Sequence, residues 1–507
     1  MKKGIFAKLI AVLMCLAIVF TPLLSVYAQD SQTKYEQDCP YIYVHGFMAS
    51  TIYCDASDPD SDCAWPPATD KILDAVKEAL PSIAKLLIDG NYDKFCDSFL
   101  PLANDVLSDV MLGPDGEINN KSGIRWEYPE KESITAQSSV SFRYDWRLDP
   151  CEIAEQLDEF IDYVLEASGC DKVVLEAHSL GGVVINTYSK LYGNDKVKTY
   201  IFNTTAVYGE TYTGELLTGQ LRLDPDALLH YLDSVMDYNE KEKLLDGLFK
   251  LLKDFGIMDL ACKLGNSLLE NLFERVATDT AVPLFGGWLT IWAMIPDDKI
   301  DAAEDYVFNH VYKNDPTDRS GLKEKIDNYN EKVRKHKTET LEKINEECSL
   351  YILTRHGYSS LFLTPSWRLL SDTVIDTKYS SFGATCADFD SVLSQDYLAG
   401  KNEKYISPDK KVDASTCLFP DQTWFVRDLL HAEEGVDDIE EMYKVLAYYD
   451  GQATVDTFEE YPQFLHYVEE TDSIEKDSYV EPVKTFFDKI KDFINKIFAF
   501  ITGIFSK

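Results

Sequence analysis

Two rhythms of apolar residues run along this chain. Short apolar stretches bounded by Gly, Pro or Asp occur at "CPYIYVHGF" (39–47), "SVSFRYDWRLDP" (139–150), "DKVVLEAHS" (171–179), "VKTYIFNTTAVYG" (197–209), "CSLYILTRHG" (348–357) and "QTWFVRDLL" (422–430), and each predicts a strand. Between the second and third, "CEIAEQLDEFIDYVLEASG" (151–169) spaces Ile153, Leu157, Ile161, Val164 and Leu165 by three and four, the period of an amphipathic helix. Strand and helix alternating in short cycles predict an α/β class protein, with a mostly parallel sheet flanked by helices on both faces.

From 211 to about 345 the strand rhythm stops. "EKEKLLDGLFKLLKDFGIMDLACKLGNSLLENLF" (240–273) and the apolar "VPLFGGWLTIWAMIP" (282–296) read as helices alone, so 211–345 is expected to be a large helical cap inserted into the sheet domain. The core then divides into a first part over 29–210 and a second over 346–470. Two terminal segments stand apart. The first, 1–28, has Lys2, Lys3 and Lys8 ahead of the apolar run Leu9–Phe20 and then Val26-Tyr27-Ala28, the layout of a secretory signal peptide. Its apolar run is about a dozen residues, short of the roughly 20 that a membrane anchor needs. In the last, 471–507, a linker precedes an amphipathic helix from Val483 whose apolar face carries Phe486, Phe487, Ile490, Phe493, Ile494, Ile497, Phe498 and Ile501. Lysines on the opposite face allow peripheral contact with a membrane, and docking on the protein's own surface is the competing reading.

Export gives the cysteines meaning. Eleven are present; removal of Cys15 with the signal leaves an even ten, which permits disulfides outside the cell. Cys54 and Cys63 are close enough to close a short loop and are the first candidate pair. The formal charge of −38, or −41 once the three leader lysines are gone, argues against nucleic acid as a partner.

Candidate chemistry centres on "VVLEAHSLGGVV" (173–184), a strand that runs through a tight turn into a helix. A serine hydrolase needs a hydroxyl, an imidazole to take its proton, a carboxylate to orient that imidazole and two N–H groups for the oxyanion. On a strained strand-to-helix turn, small residues two before and two after the serine prevent a clash, and Ala177 and Gly181 stand there. Chance matches to such a pentapeptide occur about once in three chains of this length, so the strand before and the Gly181-Gly182 helix start after carry the assignment of Ser179 as nucleophile. "VHGF" supplies the Phe47 N–H, and Leu180 supplies the second donor. His45 reads as structural, because the base follows the serine in this chain order. His431, delivered by the last strand, is the expected base. For the acid, Asp409 in "SPDKKVDASTC", 22 residues before His431, ranks first and Asp372 in "SDTVID" second, with Asp413 and Asp421 open. No His-x-x-x-His, paired CxxC or Gly-rich phosphate loop occurs, so neither metal nor cofactor is expected.

In this order, "YVHGFMAS", a loop ending "CAWPP" (63–67), "RYDWR" (143–147) and "AHSLGG" resemble the lecithin:cholesterol acyltransferase-like α/β-hydrolases, a family that includes secreted lipases and phospholipases. The resemblance spans 37–210, loosens over 346–435 and is nearly absent from the insertion. It implies an α/β-hydrolase fold and a Ser–Asp–His triad for lipid acyl esters, here Ser179, Asp409 and His431. It also implies a mobile lid over about 51–67 that brings Trp65, with Met48, to the substrate, and Asp145 and Arg147 as props of the oxyanion loop. "NTTAVYG" departs from the family, which has a Pro-containing segment there, and leaves the acyl pocket open. The expected activity is a secreted lipase or phospholipase acting through an acyl-enzyme. Acyl transfer to an alcohol uses the same intermediate, and a non-catalytic lipid- or envelope-binding protein of the same fold is the contrasting class.

Overall fold

The computed structural model describes residues 35–68, 91–221, 277–433 and 435–479, with isolated positions between 71 and 85 and between 224 and 275. The expected signal peptide, the segment 240–273 of the expected cap and the amphipathic tail lie outside the described residues.

Eight strands form one sheet: β1 (Tyr41–Val44), β2 (Ser139–Phe142), β3 (Val173–His178), β4 (Val197–Asn203), β5 (Ser349–His356), β6 (Thr423–Arg427), β7 (Phe464–Val468) and β8 (Ser473–Lys476). Their spatial order is β2-β1-β3-β4-β5-β6-β7-β8, every neighbouring pair being parallel except β7 with β8. The six strands read from the apolar rhythm are there, and the sheet is that of an α/β-hydrolase. All six side chains of β3 are buried. They do not alternate in polarity because helices cover both faces: Leu175 packs into one core with Leu157, Ile161 and Val184, while Val174 packs into a second with Ile439, Met442 and Leu446.

Helix α1 (Pro150–Ser168) starts where Asp149 accepts the N–H of Cys151 at 2.8 Å, with Pro150 in the first turn, and stops at Gly169 in the left-handed region. Helix α2 (Gly181–Tyr192) follows β3 almost without a loop. Between β4 and β5 the described residues carry helices alone, beginning with α3 (Thr211–Leu217). No helix among the described residues is long and apolar enough to cross a membrane.

The root of this insertion holds two buried acids. Glu210 caps α3 by accepting the N–H groups of Tyr212 and Thr213 at 2.7 and 2.6 Å, and Asp376 accepts the N–H and hydroxyl of Thr211 at 3.1 and 2.5 Å. Burial, then the charge of Asp376, pushes Glu210 up to about 8, and burial pushes Asp376 up to about 6. The folded chain therefore keeps protons that the unfolded chain, with ordinary carboxyls near 4, has released, so stability falls as pH rises from about 4 to 8. Melting temperatures taken at pH 5 and pH 8 should decline across that interval, and Glu210→Gln should flatten the decline.

The expected Cys54–Cys63 bridge is not formed; both residues are free thiols. In the antiparallel hairpin of Ile52–Tyr53 with Cys63–Trp65, Cys63 faces Tyr53, so Cys54 is one position out of register. Adjacent residues of a strand point to opposite faces: Cys54 Sγ meets Asp109 Oδ2 at 3.5 Å, whereas Cys63 is exposed.

Candidate active site

Parallel strands place all their carboxyl ends on one edge, and four loops meet there. Ser179 stands just beyond β3 with φ of +56°, a left-handed backbone that a non-glycine residue holds only at a cost of about 1 kcal/mol or more. Three main-chain bonds hold the turn: Ser179 N–H donates to Asn203 O at 3.2 Å, and Ser179 O accepts from Gly182 and Ala206, each at 3.1 Å. Two glycines let the end of β1 press against this turn. A methyl on Gly181 would stand 2.4 Å from Val44 O and 2.8 Å from His45 O, and one on Gly46 would stand 2.9 Å from Ser179 Cβ. Among the described residues neither the Phe47 nor the Leu180 N–H donates to a main-chain carbonyl, so both donors remain for a ligand oxygen.

The loop that carries Gly46 and Phe47 is braced by the "RYDWR" segment, directly through Tyr144 and Trp146 rather than through the expected Asp145 and Arg147. Tyr144 donates its hydroxyl to His45 O at 2.6 Å, and Trp146 Nε1 donates to Ser50 O at 2.9 Å. Asp145 and Arg147 brace each other through a buried two-pronged ion pair of 2.9 and 2.6 Å, and Arg147 donates onward to Ser122 Oγ at 3.0 Å. His45 lies buried edge-on to Tyr43, with ring centroids 4.8 Å apart. Burial, then the charge of Arg143, pulls its proton affinity down to about 3, which keeps the ring neutral.

His431 follows β6 and meets a carboxylate, but not that of Asp409. Its Nδ1 lies 2.8 Å from Oδ2 of Asp372, and its main-chain N–H donates to Asp372 O at 2.9 Å. Asp372 is fully buried and also accepts from Thr204 Oγ1 at 2.8 Å and from the N–H groups of Val374 and Ile375 at 3.0 and 2.7 Å. Burial alone would raise its proton affinity; the charge and hydrogen bond of His431, with those N–H and hydroxyl donors, outweigh burial and hold the carboxyl below its ordinary range. The His431 ring packs at 4.6 Å, centroid to centroid, on the ring of His178, the residue that precedes Ser179. Residues 179 and 431, some 250 positions apart, therefore share one corner of the molecule.

Asp409 closes a turn of its own instead. It accepts from Ser407 Oγ at 2.6 Å and Lys411 N–H at 3.1 Å, and its other oxygen stands 3.9 Å from His356 Nδ1. Asp413 accepts from Tyr397 and Ser415, and Asp421 from Tyr405. Distance in sequence from His431 was a poor guide because the chain leaves the edge and returns: Tyr358–Ser359 pairs antiparallel with Leu370–Ser371, and this brings Asp372 straight back to the end of β5. The hairpin, not position along the β5–β6 connection, sets Asp372 beside the strand that delivers the histidine.

An aromatic cluster flanks the loop of Gly46 and Phe47. Phe47 lies 5.0 Å from Trp146 and 6.0 Å from Trp288, and Trp65 lies 5.9 Å from Trp146. Trp288 comes from the helical insertion and was not singled out in the sequence. Met48, at φ of +61°, is half-buried against the same core. No group of three His, Cys, Asp or Glu among the described residues is arranged to hold a metal ion.

The family model described as lecithin:cholesterol acyltransferase matches residues 130–218, from just ahead of β2 through Ser179 to the end of α3. The "YVHGF" and "CAWPP" segments fall outside that span, as do Asp372 and His431. Among solved structures, the crystal structure of the Tle4–Tli4 complex matches at 15% identity, covering 37% of this chain and 48% of that one, with a TM-score of 0.20. The match thus spans about half the length of that chain. No curated protein matches. Over residues 130–218, which include the Ser179 turn, the chain is similar to the lecithin:cholesterol acyltransferase family.

Proposed function

We propose that this protein hydrolyses acyl esters of lipids through an acyl-enzyme on Ser179. The observation that carries the reading is the His431 imidazole, bonded at Nδ1 to buried Asp372 and packed on the residue beside the Ser179 turn. In this reading Asp372 accepts a hydrogen bond from Nδ1–H, which keeps that proton on Nδ1 and leaves Nε2 unprotonated to receive the proton of the Ser179 hydroxyl. The serine oxygen then forms a bond to the ester carbon, the carbonyl oxygen gains charge, and the N–H groups of Phe47 and Leu180 receive it. The imidazolium returns its proton to the leaving alcohol, and water, activated by the same imidazole, releases the acid. Phe47 and Trp65, partly exposed and backed by the buried Trp146 and Trp288, favour an apolar acyl group, and the lysine-led leader supports work outside the cytoplasm.

A fluorophosphonate probe tests this. Incubated with the exported chain and mapped by peptide, it should label Ser179 alone, with p-nitrophenyl ester hydrolysis lost in proportion. Labelling at another residue, or full activity in the labelled protein, would overturn the assignment.

A further inference from the structure

Arg355 lies in the interior of the sheet, 2% exposed, one residue before the end of β5. A buried cation demands partners. Among the described residues it forms no ion pair with a carboxylate, and its Nε has no hydrogen-bond acceptor. Instead a single nitrogen, Nη1, donates to three main-chain oxygens of one turn: Leu430 O at 2.5 Å, His431 O at 3.1 Å and Glu433 O at 2.9 Å. The turn closes further where Leu430 N–H donates to Glu433 Oε2 at 2.9 Å. Carbonyls that would otherwise face water are thus drawn inward around one guanidinium.

The consequence falls on residue 431. Its N–H and ring Nδ1 are held by Asp372, and its carbonyl is held by Arg355. Arg355 is also tied to the acid's loop, because its own carbonyl accepts from Thr377 Oγ1 at 3.1 Å. One strand residue therefore joins the loop of the acid to the loop of the base, and arginine suits the place because its guanidinium stays charged and tolerates loss of water better than an ammonium.

We propose that Arg355 is the positioning residue of the base, fixing the 430–433 turn so that the His431 ring stands over the Ser179 turn. This rests on the hydrolase reading above. The test uses the full exported chain and its Arg355→Met and Arg355→Lys variants. Measured are kcat and KM on a short-chain p-nitrophenyl ester, the rate of fluorophosphonate labelling at Ser179, and thermal melting. An imidazole displaced by about an ångström costs roughly 100-fold, so Arg355→Met should lower kcat about 100-fold with KM within about threefold. Its labelling should slow in parallel, although Ser179 itself is intact. Arg355→Lys keeps the charge and three donors on a shorter reach and should recover about tenfold of that loss. Folded variants with wild-type kcat, or with a change in KM alone, overturn the proposal. Should the Met variant fail to fold, the Lys variant decides by the same criterion. Wild-type protein that is not labelled at Ser179 overturns the hydrolase reading and this inference with it, whereas normal wild-type labelling beside undiminished variants overturns only this one.

Discussion

Ser179→Ala is expected to lower kcat for ester hydrolysis by about five to six orders of magnitude, the cost of removing a nucleophile whose partners can act only through it. The protein should stay folded. Ser179 is buried at the turn, but the hydrogen bonds assigned to it are main-chain ones, to Asn203, Gly182 and Ala206, and alanine keeps them all. Alanine would also feel the same left-handed backbone strain as serine, so melting should shift little. Substrate binding should survive, because the partly exposed Phe47 and Trp65, and the buried Trp146 and Trp288 behind them, are untouched. Comparing kcat with vesicle or substrate-analogue binding in the variant separates an enzyme from a lipid-binding shell of the same fold: hydrolysis at the wild-type rate would end the mechanism, while binding should remain.

A pair of substitutions has the next largest expected effect. Asp372→Asn should cut kcat by about 10⁴-fold, and Asp409→Asn should leave it within about twofold. An amide at 372 can still accept from Val374 and Ile375, both of which bond Oδ1. Its NH2 group, however, would replace the Oδ2 that faces His431 Nδ1 at 2.8 Å. That donor forces the imidazole proton onto Nε2, where the serine proton has to be received, so the base is held in the wrong tautomer. At 409 the two donors, Ser407 Oγ and Lys411 N–H, both bond the single oxygen Oδ1, which asparagine retains. Steady-state kinetics on the two purified variants is the measurement. An Asp409→Asn protein that is folded and inactive, beside an active Asp372→Asn, would reverse the assignment of the acid.

The contrast between those two aspartates shows where sequence reading reaches its limit. The placement of Ser179, Gly46, Phe47 and Leu180 was legible because it is local: a strand end, a tight turn and a helix start lie within a few residues of one another, and small side chains mark each close approach. His431 was legible because one apolar strand delivers it to the edge of the sheet. Asp372 and Asp409 lie on the same connection between β5 and β6, and nothing in their flanking residues says which turn comes back to the edge. The hairpin pairing of Tyr358 with Ser371 decides that. The Cys54–Cys63 pairing failed for a kindred reason: proximity in sequence does not set which face of a hairpin a side chain occupies.

By itself, then, the order of residues determined the parallel sheet and the serine turn, since apolar periodicity and steric need for small residues are properties of short windows. Tertiary structure decided which carboxylate meets His431, that Trp288 of the insertion packs against Phe47, and that Arg355 gathers the carbonyls of the 430–433 turn. Those contacts join segments tens to hundreds of residues apart, and they exist only because parallel strands carry their loops to a single edge where hydrogen bonds of about 3 Å can select among near-equivalent side chains.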